Sequence, residues 1–133
     1  MDRDRRWERT EKAYKALTEP IDTRAPNAVK AIEDSYRRNI TDEFIEPVII
    51  DDPNGRPYPR ITDHDSVIFF NFRIDRPRQL TRAFIQQDFE SGVRSSSFDP
   101  YMVKYYNKHI VEEDMRTPSF NRSIILPNIF FVT

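Results

Sequence analysis

The chain has 133 residues, 21 basic against 22 acidic side chains, a formal net charge of −1 and a mean hydropathy of −0.75, a balance that excludes a chain built to coat nucleic acid or an anionic membrane. It has no Cys, which excludes disulfide and thiolate chemistry and suits a reducing compartment. No stretch approaches the roughly 20 apolar residues that span a bilayer, and the charged N-terminus lacks the apolar core of a signal peptide, so the expectation is a soluble, cytoplasmic, one-domain protein.

In chain order, the first predicted element is a helix in "RDRRWERTEKAYKALTEP". Trp7, Thr10, Tyr14 and Leu17 recur at helical spacing, and Pro20 marks a stop. A second helix has Pro26 in its first turn, Val29, Ile32 and Tyr36 as its apolar stripe, and an end near Asn39, a residue that tolerates the left-handed cap. "EPVIID" gives a strand at Val48 to Ile50. "DDPNGRPYPR" then concentrates turn residues, with Asn54-Gly55 as the pivot.

Ser66 to Phe72 is apolar on nearly every residue, the pattern of a parallel strand buried on both faces. A helix follows over Arg76 to Gln87, with Leu80, Ala83 and Phe84 on one face. "SGVRSSSFDP" reads as a loop and "PYMVKYYNKHIVEEDM" as a short helix or an irregular excursion; "NIFFVT" is a last apolar strand. Strand and helix alternate, so the class is α/β. The expected architecture is a partial three-layer domain, with a small mostly parallel sheet flanked by helices and incomplete at both ends.

Candidate chemistry is sparse. His64 and His109 stand far apart, with no second ligand at metal spacing. Asp63 and Asp65 flank His64 and form either a carboxylate site or a solvated turn, the turn being preferred. With two glycines, no Gly-rich phosphate loop or nucleophile elbow is present, and Ser95 to Ser97 have no base at a recognisable spacing. Arginine is the remaining signal. Sixteen of the 21 basic residues are Arg, the better side chain for forked contacts to phosphate or carboxylate. Arg73 ends the strong strand and Arg76 opens the next helix. They are either an anion clamp in the crevice beyond the strand or surface residues paired with Asp75.

Four blocks resemble the 2,3-bisphosphoglycerate-independent (cofactor-independent) phosphoglycerate mutases: "MDRDRRWERTEKAY", "SYRRNITDEFIEPVII", "SVIFFNFRIDRPRQLTRAF" and "LPNIFFVT", in that order. The resemblance implies a fragment, residues 1–133, of the substrate-binding phosphotransferase domain, with about 90–118 an insertion or irregular excursion. The implied parent is a glycolytic isomerase that interconverts 3-phosphoglycerate and 2-phosphoglycerate through a phosphoserine. That enzyme is cytoplasmic and monomeric, and it carries two manganese ions in a phosphatase-like domain absent from this chain.

Carried over by the resemblance, Arg3, Arg73 and Arg76 are substrate contacts, and no metal ligand or catalytic residue is expected here. Phosphoglycerate is the implied partner; nucleic acid and membrane are not. The isolated chain is expected to be inactive. The alternative is a non-catalytic anion-binding or interaction module derived from such an enzyme. Two departures stand out: Ile74 where the family commonly has Pro, and His64 where it commonly has Gly.

Overall fold

Helix α1, Trp7–Thr18, forms where an apolar-and-threonine stripe recurs at helical spacing, and that stripe is what it buries: Trp7, Thr10, Tyr14 and Thr18. Leu17, expected on the same stripe, is 38% exposed. Pro20 follows two residues after the helix, and the C-terminal carbonyls that no intrahelical amide can reach are met from elsewhere. Arg60 Nη1 donates to Ala16 O at 2.7 Å and the Ile61 amide to Leu17 O at 2.8 Å. In this computed structural model the residues described are 6–73, 75–91 and 119–133. Arg3, Ile74, Ser95 to Ser97, His109 and nearly all of the expected excursion at 90–118 lie outside them.

After α1 the chain forms β1 (Arg24–Ala25), α2 (Ala28–Arg37), β2 (Ile49–Ile50), β3 (Ser66–Ile68), α3 (Arg78–Ile85) and β4 (Phe130–Val132). Strands pair as two separate parallel ladders: Arg24 with Ile49 and Ala25 with Ile50, then Ser66, Val67 and Ile68 with Phe130, Phe131 and Val132. The class is α/β as expected. The single thin sheet is replaced by two small ones, because β1, too short to stand out in sequence, supplies β2 with a partner.

α2 corrects the predicted stripe. Val29, Ile32 and Tyr36 are exposed at 68%, 46% and 47%, whereas Ala31 and Ser35 are buried. Against a neighbour as short as β1, small side chains let the helix approach closely, and the longer ones turn outward. Asn27, not Pro26, opens the helix: its side-chain oxygen accepts from the Lys30 amide at 2.8 Å. Asn39 takes the left-handed conformation (φ 59°) after it, as expected.

The turn after β2 pivots as the Asn-Gly pair suggested. Gly55 has φ 75°, and Asp52 Oδ1 accepts from the amides of Asn54 and Arg56 at 2.8 and 2.9 Å. These donors hold the Asp52 carboxyl below the usual carboxylate range.

The core lies between α1, α3 and the last fifteen residues: Trp7, Tyr14, Ala83, Phe84, Phe89, Phe120 and Leu126. Its rings meet edge-on or tilted, Trp7 to Phe89 at 5.5 Å, Tyr14 to Phe84 at 4.9 Å and Phe89 to Phe120 at 4.9 Å between centroids. Tyr14 is 1% exposed, and its hydroxyl donates to Ile124 O at 2.8 Å, so the buried polar tip is satisfied. Burial pushes its pKa up.

The strand at Ser66 to Phe72 is also corrected. The ladder ends at Ile68, with one further bond from the Phe69 amide to Val132 O at 2.7 Å. Only alternate residues face protein. Val67 and Phe69 are half-buried, while Ile68, Phe70 and Phe72 are exposed at 74%, 89% and 99%. One side of the β3–β4 pair meets the core through Phe131, stacked on Phe84 at 5.3 Å; the other carries exposed Phe130 and Val132.

Candidate arginine turn

Beyond the carboxyl end of β3 the chain runs through Arg73 and Asp75 into α3, beside the end of the parallel partner β4. This is the position where parallel sheets present ligand-binding crevices. One carboxylate oxygen organises the turn. Asp75 Oδ1 accepts from Arg73 Nε at 2.8 Å and from the Arg76 amide at 2.8 Å. The Arg73 amide donates to Asn71 Oδ1 at 3.0 Å. Arg73 is thus paired with Asp75, as the surface reading expects, and Arg76 gives its backbone amide to the same carboxylate oxygen at the entry to α3.

Arg73 keeps 56% of its side chain exposed, and Arg76 is half-buried. α3 itself begins with Pro77 at its cap, no side-chain cap and no acidic residue in the first turn. The partial positive charge of its amides is thus not offset by its own first-turn side chains.

α1 is tied to the same region. Thr10 Oγ1 donates to Gln79 Oε1 at 2.7 Å, a buried contact that links the N-terminal helix to the first turn of α3. Trp7, in the same motif block as Arg3, lies under the Arg82 guanidinium at 5.7 Å. The element that follows Arg3 is thus packed on the element that follows Arg76.

The histidine cluster resolves as a turn. Asp63 takes the Asn128 amide at 2.8 Å and its Nδ2 at 2.7 Å, which holds the carboxyl below its usual range. Asp65 Oδ2 accepts from the Thr62 amide and hydroxyl. His64 is 80% exposed at 3.8 Å from Asp63 and has φ 70°. Both carboxylates fix backbone rather than converge on a ligand. Among the described residues no group of three or more His, Cys, Asp or Glu stands ready to hold a metal ion, and no helix is long and apolar enough to cross a membrane.

Sequence reading missed another arginine. The Arg122 side chain is 1% exposed and donates from Nε and Nη2 to the two oxygens of Glu90 at 2.6 and 2.9 Å. It also reaches Ala83 O at 3.0 Å and Gln87 O at 3.1 Å, closing the carbonyl end of α3. The guanidinium holds the Glu90 carboxyl down at about 2. A forked pair between residues 32 apart leaves no periodic trace; the one signal is a lone arginine in the apolar "SFNRSIILPNIF".

A cleft of about 540 Å³ lies away from this turn, lined by Asp22, Arg24, Asp34, Arg37, Arg38 and neighbours. Two of its arginines are held in ion pairs, Arg37 with Asp34 in the same lining and Arg24 with Asp51 at 2.8 Å.

A family model described as the BPG-independent PGAM N-terminus matches residues 1–108. A 2,3-bisphosphoglycerate-independent phosphoglycerate mutase of Moorella thermoacetica is 55% identical over 94 residues, 71% of this chain and 18% of that protein. The mutase 1 of Methanosarcina barkeri is 49% identical over 104 residues, 77% of this chain and 20% of that one. Among solved structures, a phosphoglycerate mutase of Leishmania mexicana, determined at low cobalt concentration, superposes with a TM-score of 0.62. It is 23% identical and is matched over 98% of this chain and 19% of its own, a likeness of fold. The chain spans about a fifth of the length of the curated relatives it matches.

Proposed function

The chain belongs to the BPG-independent phosphoglycerate mutase family, and from that membership we propose that it is part of the substrate-holding side of a cytoplasmic glycolytic isomerase acting on 3- and 2-phosphoglycerate. Arg3, Arg73 and Arg76 hold the phosphate and carboxylate through charge-assisted forked hydrogen bonds. The observation that carries this reading is the shared Asp75 oxygen, which fixes Arg73 and the Arg76 backbone together at the mouth of α3. An anion there would meet the exposed Arg73 guanidinium and the amide end of a helix.

In the parent reaction the phosphoryl group passes from substrate to a serine and back to the neighbouring hydroxyl of the glycerate. Arginines that clamp the glycerate while its phosphoryl group is away would keep the returning transfer effectively intramolecular. The two manganese ions of the implied enzyme find no fitting donor set among the described residues, and no step of the proposal runs through them. The alternative reading is a non-catalytic module that binds the anion without turning it over.

Titration of the 133-residue chain with 3-phosphoglycerate, followed by NMR, tests the clamp. Arg73→Ala with Arg76→Ala should weaken binding at least tenfold, since hydrogen bonds to charged groups contribute about 1.5–3 kcal/mol each. Equal titration curves for the two proteins would overturn it. Turnover in a coupled mutase assay with manganese would overturn the expected inactivity of the isolated chain and, with it, the non-catalytic reading.

A further inference from the structure

Helix α3 has 8 residues, and isolated helices under ~12–15 residues are marginal in water, so its place is set by what holds it. Its carbonyl end is held by Arg122, which donates to Ala83 O and Gln87 O. Its entry has Pro77 at the cap and no side-chain cap. There the hold comes from α1: Thr10 Oγ1 donates to Gln79 Oε1 at 2.7 Å, between residues 69 apart. Thr10 and Gln79 are 4% and 7% exposed, so water competes little for either group. The bonds from Tyr14 to Ile124 O and from Asn128 to Asp63 fasten the C-terminal segment instead.

Stability alone does not call for a polar pair at this position. The core beside it is apolar, with Trp7 and Tyr14 on α1 and Ala83 and Phe84 on α3. Thr10 with Tyr14, and Gln79 with Ala83, share one face of their helices, as residues four apart do. Replacing both partners of a buried hydrogen bond by apolar groups of the same shape is nearly neutral in favourable cases. What an apolar pair would not supply is direction. Cores repacked with apolar side chains lose uniqueness before they lose stability, whereas a satisfied buried polar pair specifies one arrangement.

We infer that Thr10 is a positioning residue for the arginine turn. Through Gln79 it sets the register of α1 against the entry of α3, three residues beyond Arg76, and so sets the place of Arg73 and Arg76. The inference rests on the phosphoglycerate reading for the identity of the anion, and on the Thr10–Gln79 bond for the register.

NMR on the 133-residue chain, with urea unfolding alongside, tests it. Thr10→Val keeps the shape of the side chain and removes the donor; Thr10→Val with Gln79→Met removes both polar partners. The single change should lower the urea midpoint, and the double change should recover much of that loss. In both, the backbone amide resonances of Arg73 and Arg76 should move, while those of Asn54 and Gly55, in the turn after β2, stay in place. Affinity for 3-phosphoglycerate should fall roughly tenfold in both, the loss of one hydrogen bond to a charged group. Thr10→Ser, which keeps the hydroxyl, should match the wild type in all three readouts.

A double variant that regains the midpoint and also the wild-type Arg73 and Arg76 resonances would show a bond that serves stability alone, and would overturn the inference. So would a Thr10→Val protein whose arginine-turn amides do not move. If Thr10→Val does not fold, the double variant decides by the same resonances. A wild type that does not titrate with 3-phosphoglycerate would overturn the phosphoglycerate reading, while the amide positions still decide the register, so the two fail separately.

Discussion

His64 adopts φ 70°, a conformation that costs a residue with a Cβ about 1–2 kcal/mol, and its side chain is 80% exposed at 3.8 Å from Asp63, so its contacts return little of that cost. Glycine, the residue the family commonly has there, avoids the penalty. His64→Gly should raise stability by about 1 kcal/mol, read as a shift of the urea midpoint at constant slope; an unchanged or lower midpoint would show that the imidazole contributes a compensating contact.

Glu90 works in the opposite direction. Its pKa falls from 4.5 in the free carboxyl to about 2 in the fold, so its contribution is complete above pH 4.5 and is lost as pH falls toward 2. A difference of that size is worth about 3 kcal/mol. Urea unfolding should show Glu90→Gln destabilised at pH 7 and converging with wild type near pH 2; parallel curves across that window would contradict the assignment. Arg73 and Asp75 could be read from the sequence because they lie two residues apart in one turn. Arg122 and Glu90 could not, because only the packed core brings them together.

At the scale of elements, α1 and α3 were legible because their buried faces carry large apolar residues, Trp7 and Tyr14 on one and Phe84 on the other. α2 was misread for the converse reason. Its inward residues are Ala31 and Ser35, too small to register in a hydrophobic period. The distinction has a mutational signature. Ala31→Leu should destabilise by about 1–3 kcal/mol through overpacking, and Ile32→Ala should stay within about 0.5 kcal/mol of wild type, both measured by thermal unfolding. The reverse order would restore the predicted stripe. Ser66 to Phe72 misled differently. A run apolar at nearly every position implies cover on both faces, but the β3–β4 pair has neighbours on one side alone among the described residues.

For the whole molecule, the class, the parallel pairing and the order of the main elements followed from alternation along the chain. The division into two small sheets did not, because β1 is two residues long and is defined by its partner. The arrangement of the core was equally hidden. Trp7 and Tyr14 meet Phe120 and Leu126 across almost the full chain, a relation that local pattern cannot express.

The bond from Tyr14 to Ile124 O joins residues 110 apart, and the Asn128–Asp63 contact joins residues 65 apart. Closing loops of that length costs conformational entropy before any burial offsets it, and chains dominated by distant pairings cross their folding barrier slowly. Time is therefore part of what this architecture imposes. Until the segment from Phe120 onward has reached its place, the core between α1 and α3 lacks Phe120 and Leu126, and the exposed phenylalanines of the nascent sheet are available to any neighbour that arrives first.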